Sequence, residues 1–248
     1  MPPLVILFVA SLWAGAQNAL AGGGSFLTLP ALIAAGMDAR AANVTSTVAL
    51  FPAQIITGYA GRRGASGLPE LSLKSLFAVS LIGGGLGGVI LLATPPSFFE
   101  RLVPWLVLFA TAIFAWGSFL RRPPKSAEKR LPRWAAGLAQ FVIAVYGGYF
   151  GGGIGFLMMA ALTAAGQNVR IAGATKNILA GVINAAAVAI FVFSPDVHWR
   201  QAVVTALGAS LGGVAGALML QRVNEKALRI FVVALGLALT VGLFLRAA

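Results

Sequence analysis

With 248 residues, 59% of them hydrophobic, and a mean hydropathy of +0.91, the chain lacks the polar surface a soluble domain of this length needs. Only 10% of its residues are Asp, Glu, Lys or Arg, well below the roughly 25% of soluble domains, so the sequence predicts a membrane protein and no enzyme. The net charge of +12 does not mark a nucleic-acid binder, because the basic residues sit at the ends of apolar stretches. The absence of cysteine and the single histidine, His198, exclude a disulfide framework and thiol chemistry and argue against a metal centre or cofactor.

A helix needs about 20 mostly apolar residues to cross about 30 Å of hydrocarbon. On that measure the sequence predicts an all-α fold of about eight transmembrane helices. Segment I covers residues 4–20, meets Gly22-Gly23-Gly24 and continues as a short apolar piece to 35. Its small-x-small Ala19-Leu20-Ala21 has the form of a signal cleavage site, but no basic residues precede it, so it reads as a real segment. Segment II lies between Arg40 and Arg62, III covers 76–93, and IV lies between Arg101 and Arg121. A hydrophilic linker follows, with Arg121, Arg122, Lys125, Lys129, Arg130 and Arg133 against the single Glu128. Segment V starts near Trp134, meets Gly151-Gly152-Gly153 and continues to 165. Segment VI runs from 171 to before Pro195, VII lies between Arg200 and Arg222, and VIII between Arg229 and Arg246. By the positive-inside rule the linker faces the cytoplasm. Eight crossings then put both termini there too, in a multi-pass protein of the inner membrane.

The two halves are copies. A shift of 130 residues superposes 12 identities on the 24 positions from Gly22 to Thr45, among them Gly22, Gly23, Phe26, Gly36, Arg40 and Thr45 on Gly152, Gly153, Phe156, Gly166, Arg170 and Thr175. Weaker matches extend the repeat over the chain, which divides into a first unit (1–122), a basic linker (123–133) and a second unit (134–248). Four crossings per unit give parallel copies. Five, counting the piece after each glycine triplet, give inverted ones. In either case a binding site belongs at the interface of the halves, near the midplane.

Three glycines in a row cost helix stability, about 1 kcal/mol each relative to Ala. Freed backbone groups are tolerated in a membrane where they line a cavity, and a helix that starts there points its amides at the site and suits an anion. Close helix packing is the other reading. The candidate substrate-binding residues are Gly22, Gly23, Gly24 and Ser25 at the first break and Gly151, Gly152 and Gly153 at the second. On the helices that follow, Thr47 and Gln54 share a face with Asn43, and the shift turns the pair into Asn177 and Asn184. Such amides and hydroxyls bond either a substrate or a neighbouring helix. Lys176, where the first unit has Ser46, is either a counter-charge for an anion or a cation reaching to the interface. Arg40 and Arg170 stand at an entrance, or cap loop ends.

These motifs resemble the sulfite exporter TauE/SafE family, also called the 4-toluene sulfonate uptake permeases. The likeness rests on Ala21-Gly22-Gly23-Gly24-Ser25-Phe26-Leu27-Thr28-Leu29-Pro30, on Ala42-Asn43-Val44-Thr45-Ser46, and on the second copy, Gly151-Gly152-Gly153 through Gly173-Ala174-Thr175-Lys176-Asn177. It implies a secondary transporter, an exporter or permease of sulfite, an organosulfonate or a related sulfur-containing or organic anion. The same residues fit an anion channel or a membrane subunit that needs a partner. Membrane lipid and the anion are the expected partners, and a homodimer stays open.

The remaining motifs read as structure. Asp38, Glu70, Glu100, Glu128, Asp196 and Glu225 are the only acids and fall at loops or segment ends, so no mid-membrane cation relay is expected. Gly83, Gly85 and Gly88 spell a dinucleotide fingerprint but lie inside an apolar span. Gly84-x-x-x-Gly88 and Gly212-x-x-x-Gly216 mark close packing of segments III and VII. Asp196, His198 and Arg200 read as an interfacial loop.

Overall fold

The computed structural model describes residues 3–20, 23–120, 132–219 and 225–247. Gly22 and residues 123–131 of the predicted linker lie outside the described residues. Among those described there are ten α-helices and no strand. They are α1 (Pro3–Leu20), α2 (Ser25–Ala34), α3 (Ala39–Gly61), α4 (Leu73–Ala93), α5 (Pro96–Ala115), α6 (Arg133–Tyr149), α7 (Ile154–Ala164), α8 (Val169–Phe191), α9 (Trp199–Met219) and α10 (Glu225–Ala247). Ten helices stand where the charges mark eight segments because I and V are two helices each. A backbone in hydrocarbon must satisfy its own polar groups, and a helix does so within one segment.

By length and composition α4, α5 and α8 can each cross a bilayer. At about 1.5 Å per residue, α2 and α7 reach only about half of the hydrocarbon thickness. The outward faces are apolar: Phe77, Leu81, Ile82, Val89 and Ile90 of α4 and Val203, Leu207, Leu211 and Val214 of α9 are all exposed. A water-facing surface does not carry such stripes, whereas lipid matches them.

Local signals explain the helix starts. The Asp38 carboxylate accepts from the amides of Arg40 and Ala41, both at 3.0 Å, and caps α3. Its repeat equivalent Asn168 accepts from Ile171 N–H at 2.9 Å and caps α8. Both preceding helices, α2 and α7, end on a glycine with φ of +97°, Gly36 and Gly166, a conformation that side chains disfavour.

Glycines let the helices touch backbone to backbone. On α4, Gly84 backs onto Gly148 of α6 and Ile183 of α8, and Gly87 onto Val145 and Gly148. On α9, Gly208, Gly212 and Gly216 meet Phe8, Leu12 and Ala16 of α1. The glycines of segments III and VII therefore pack against other helices and not against each other.

These contacts also give each helix its direction. The numbers rise together from Ser80–Gln140 to Gly83–Ala144 and Gly87–Gly148, so α4 and α6 are parallel, as are α1 and α9. Along α3, Thr45 meets the Asp196 carbonyl, Gln54 meets Asn184, and Gly58 backs onto Asn177, so α3 and α8 are antiparallel. Arg40, at the start of α3, bonds the Leu92 and Thr94 carbonyls and pairs with Asp196, which sets the start of α3, the end of α4 and the α8–α9 turn at one end of the bundle. The pairs Trp105–Phe244 and Thr111–Gly236 make α5 and α10 antiparallel. Every helix thus runs opposite to the one the 130-residue shift relates it to.

With this alternation the start of α1 and the end of α10 lie at the Arg40 end of the bundle. The end of α5 and the start of α6 lie at the other end, that of the loop after α3. The start of α1 and the end of α10 thus stand opposite the end of α5 and the start of α6, whereas an even number of crossings per unit would set all four at one end.

At Gly84 an added Cβ would stand 2.6 Å from the Ile183 carbonyl oxygen, whereas at Gly181 nothing lies within 4 Å. Gly84→Ala is expected to destabilise the detergent-solubilised protein by about 1–3 kcal/mol. Gly181→Ala should be neutral or stabilising by up to about 1 kcal/mol. Melting followed by gel filtration checks both, and an equal loss from the two would contradict the packing described.

Candidate functional site

The second break is the better-described one. α6 stops at Tyr149 and α7 resumes at Ile154. Between them Gly151 and Gly153 adopt φ of +77° and +78°, open to glycine at little cost and costly for other residues. The Tyr146 hydroxyl donates to the Gly152 carbonyl at 2.9 Å and ties the break to the helix before it. The Gly153 carbonyl accepts from Phe156 N–H at 3.0 Å and opens α7. The amides of Ile154 and Gly155, in the first turn of α7, have no acceptor inside the helix.

Gly23 repeats this geometry in the first unit. Its φ is +81°, and its carbonyl accepts from Phe26 N–H at 3.0 Å. Neighbouring side chains occupy the polar groups of this break. Gln17 Nε2 donates to the Gly23 carbonyl at 3.2 Å, and Gly24 N–H donates to Asn18 Oδ1 at 3.4 Å. The Thr28 hydroxyl lies 3.3 Å from the Gly24 carbonyl and 2.6 Å from the Ser46 hydroxyl. Ser25 is half-buried in the first turn of α2.

Lys176 takes the place of Ser46 in the second unit, and the chemistry there is different. Its ammonium lies beside the first turn of α7, with Nζ 3.5 Å from where a Cβ of Gly155 would stand. Among the described residues it makes no hydrogen bond or ion pair, and Asn177 next to it has no side-chain hydrogen bond. A cation and the positive end of a helix repel each other. Side by side in a low-dielectric bundle they form a pair of positive features with no negative group between them.

Gln54 and Asn184 come together, Asn184 Nδ2 donating to Gln54 Oε1 at 2.7 Å. They are repeat equivalents, so the bond marks the point where α3 and α8 cross. Asn184 Oδ1 lies 4.0 Å from where a Gly151 Cβ would stand, which sets the crossing against the second break. Asn43 Nδ2 donates to the Tyr149 carbonyl at 3.1 Å, a group freed by the end of α6. Thr47 turns back on its own helix and bonds the Asn43 carbonyl at 2.9 Å. The structure therefore gathers Asn43, Gln54, Gly151, Gly152, Gly153 and Asn184 around the second break, with Lys176 two turns along α8. Gly23, Gly24 and Ser25 stand apart at the first, Thr47 turns back on α3 at Asn43, and Gly22 lies outside the described residues.

The two arginines part ways. Arg170 is exposed at the start of α8. Arg40 holds a carboxylate and two carbonyls at the end of α4, which is the loop-end arrangement. Sequence reasoning missed Asp196 as the partner of Arg40. It also missed Thr45 and Thr175, although both stand among the identities of the repeat and in that sense were visible.

The sequence profile described as sulfite exporter TauE/SafE matches residues 7–243. A probable membrane transporter protein of Haemophilus influenzae is 28% identical over 243 residues, covering 96% of this chain and 92% of the relative. The probable membrane transporter protein YfcA of Escherichia coli K12 is 28% identical over 237 residues, covering 93% of this chain and 85% of the relative. The probable membrane transporter protein ORF9 of a Sinorhizobium species is 29% identical over 243 residues, covering 97% and 92%. No solved structure matches the chain.

Interhelical hydrogen bonds in membranes contribute about 0.6 kcal/mol on average and up to about 1.7 kcal/mol. A double-mutant cycle on Gln54→Leu and Asn184→Leu, read by thermal stability in detergent, is expected to return a coupling in that range. A coupling of zero would show that the two side chains do not meet.

Proposed function

The chain belongs to the sulfite exporter TauE/SafE family, and we propose that it is a secondary transporter of a small anion, with sulfite, an organosulfonate or a related sulfur-containing or organic anion as substrate. The observation that carries this reading is Lys176. A cation in the membrane interior costs about 2.5–3.5 kcal/mol on insertion scales. Among the described residues this one has no protein counter-charge, and it stands against the first-turn amides of α7, an arrangement that an anion between them stabilises. The site would draw Gly151–Gly153, the first turn of α7, Lys176 and Asn177 to the substrate. Gln54 and Asn184 would hold the two halves together beside it. Tetrahedral oxyanions have several acceptor oxygens and suit a mixed set of amides and one ammonium.

The opposed directions of equivalent helices support two inverted five-helix units as the transporting framework, with the site at their interface. Charge supports an orientation. Of the basic residues at described positions, Lys176 lies within α8, and Arg40, Arg101, Arg200 and Arg246 belong to the Arg40 end. Arg62 and Arg63 after α3, and Lys74, Arg133, Arg170, Lys226 and Arg229 near the starts of α4, α6, α8 and α10, belong to the other. By the positive-inside rule that other end is cytoplasmic in a bacterial inner membrane, and the helix termini at the Arg40 end face outward.

Purified protein in liposomes, challenged with sulfite, sulfate, thiosulfate, taurine, sulfoacetate and simple carboxylates, is expected to show saturable counterflow of one anion class. Lys176→Ala should weaken half-saturation about 10- to 100-fold, the worth of one charge-assisted contact, and Lys176→Arg should retain part of it. Flux that never saturates would favour a channel. Unchanged affinity in Lys176→Ala would remove the counter-charge role, and folded protein silent to the whole panel would count against transport by this chain alone.

A further inference from the structure

The two ends of the bundle carry the same small device, built from repeat-equivalent residues. At the outward-assigned end the Thr45 hydroxyl donates to the Asp196 carbonyl at 3.1 Å and accepts from His198 N–H at 3.1 Å. At the other end the Thr175 hydroxyl donates to the Ser66 carbonyl at 3.1 Å and accepts from Ser66 N–H at 3.1 Å. In each case a threonine two turns into one crossing helix grips the backbone of the loop that leaves the other. The grip spends both hydrogen-bonding functions of the hydroxyl. Both threonines are fully buried.

Each grip is reinforced, but by different chemistry. At the Thr45 end, Arg40 Nη2 donates to Asp196 Oδ1 at 3.1 Å, and Nε lies 3.0 Å from Oδ2 as a charge contact without hydrogen-bond geometry. Nη1 of the same guanidinium reaches the Thr94 carbonyl at 2.8 Å and the Leu92 carbonyl at 3.3 Å. At the Thr175 end the reinforcement is neutral: Gln167 Nε2 donates to the Ser66 carbonyl at 2.8 Å and the Gly67 carbonyl at 3.1 Å. The Gln54–Asn184 crossing lies between the two devices.

We propose that these two threonine clasps are the gates of an alternating-access cycle: Thr45 with the Arg40–Asp196 pair closes the path to the outside, and Thr175 with Gln167 closes the path to the cytoplasm. This rests on the transport reading above. Both clasps are made in this structure, so α3 and α8 are tied at both ends at once. Opening one side means releasing one clasp while the crossing and the other clasp hold, and inverted equivalence makes the two openings versions of one motion. The ion pair makes the outer clasp the stronger, so the resting protein favours access from the cytoplasm.

The test reads accessibility and needs no substrate. The chain has no cysteine, so Gly181→Cys, one turn from Asn184 and with nothing within 4 Å of an added Cβ, gives a single reporter between the clasps and leaves the Gln54–Asn184 bond in place. It is labelled by a membrane-impermeant maleimide applied to either face of oriented vesicles. Adding Asp196→Ala should raise the labelling rate from the outer face about tenfold. Adding Gln167→Ala with Thr175→Val should raise it from the cytoplasmic face. The exchange Arg40→Asp with Asp196→Arg should return outer labelling to the level of the reporter alone, which a misfolded variant would not do. If Asp196→Ala fails to give folded protein, Thr45→Val, which removes only the hydroxyl, takes its place with the same expected direction. Labelling from both faces that ignores all these changes, or that rises on the wrong face, overturns the proposal. Labelling that follows the clasps in a protein without anion flux would leave the gates standing and refute the transport reading instead.

Discussion

A side-chain amide inside a bilayer has no water to turn to, and the partner Asn184 finds is Gln54, at 2.7 Å. The interval between them is the interval of the repeat, so each unit supplies one amide at the same position of the same helix. That single bond constrains much else. It fixes the register of α3 against α8, and the contacts on either side make the crossing antiparallel. Once those two run oppositely, the glycine contacts of α4 with α6 and of α9 with α1 carry the opposition to the helices around them.

From this crossing outward the halves follow one plan with two different interiors. In the first unit, Ser46 and Thr28 satisfy each other, and Gln17 and Asn18 occupy the backbone groups at the break. In the second, Lys176 and the first turn of α7 remain unanswered, and Met158 replaces the hydroxyl of Thr28. Symmetry of the backbone therefore coexists with asymmetry of charge. A closed hydrogen-bonded pair stabilises a helix hairpin at every stage. On the proposed reading an anion answers that ammonium, and the stability of the second hairpin then depends on occupancy.

Much of this was legible in the sequence. The repeat was visible because glycines and small residues recur at positions where backbones approach, and those positions tolerate little else. Lys176 stood out because a cation inside an apolar stretch is costly. The number of crossings per unit was harder to read. α2 and α7 are too short to register as spans, and their start is set by glycines at positive φ, which hydropathy does not weigh. Parity then governs the topology: four crossings per unit and five lead to opposite placements of the start of α1 relative to the end of α5, and hydropathy alone does not choose between them. The Arg40–Asp196 pair was invisible because 156 positions separate its members and the first unit has Ser66 where the second has Asp196. Nothing in the spacing of either residue points to the other.

The departure at position 196 has an energetic consequence. A threonine hydroxyl bonded to backbone is a neutral contact with a modest net contribution of about 0.5–1.5 kcal/mol. A carboxylate and a guanidinium held as an ion pair with one hydrogen bond, each side chain only 15–17% exposed, form a far steeper contact, because separating them leaves two poorly solvated charges. The guanidinium has further work at the end of α4, where two carbonyls with no amide partner in their own helix accept from it. The same arginine in the second unit, Arg170, is exposed and holds no carboxylate. Two sequence differences, Ser66 against Asp196 and Gln167 against Met37, thus turn equivalent backbone clasps into a charged one and a neutral one. A protein whose halves were identical would weigh its two end states equally. On the proposed gating, the Arg40–Asp196 pair is what weighs one end state against the other.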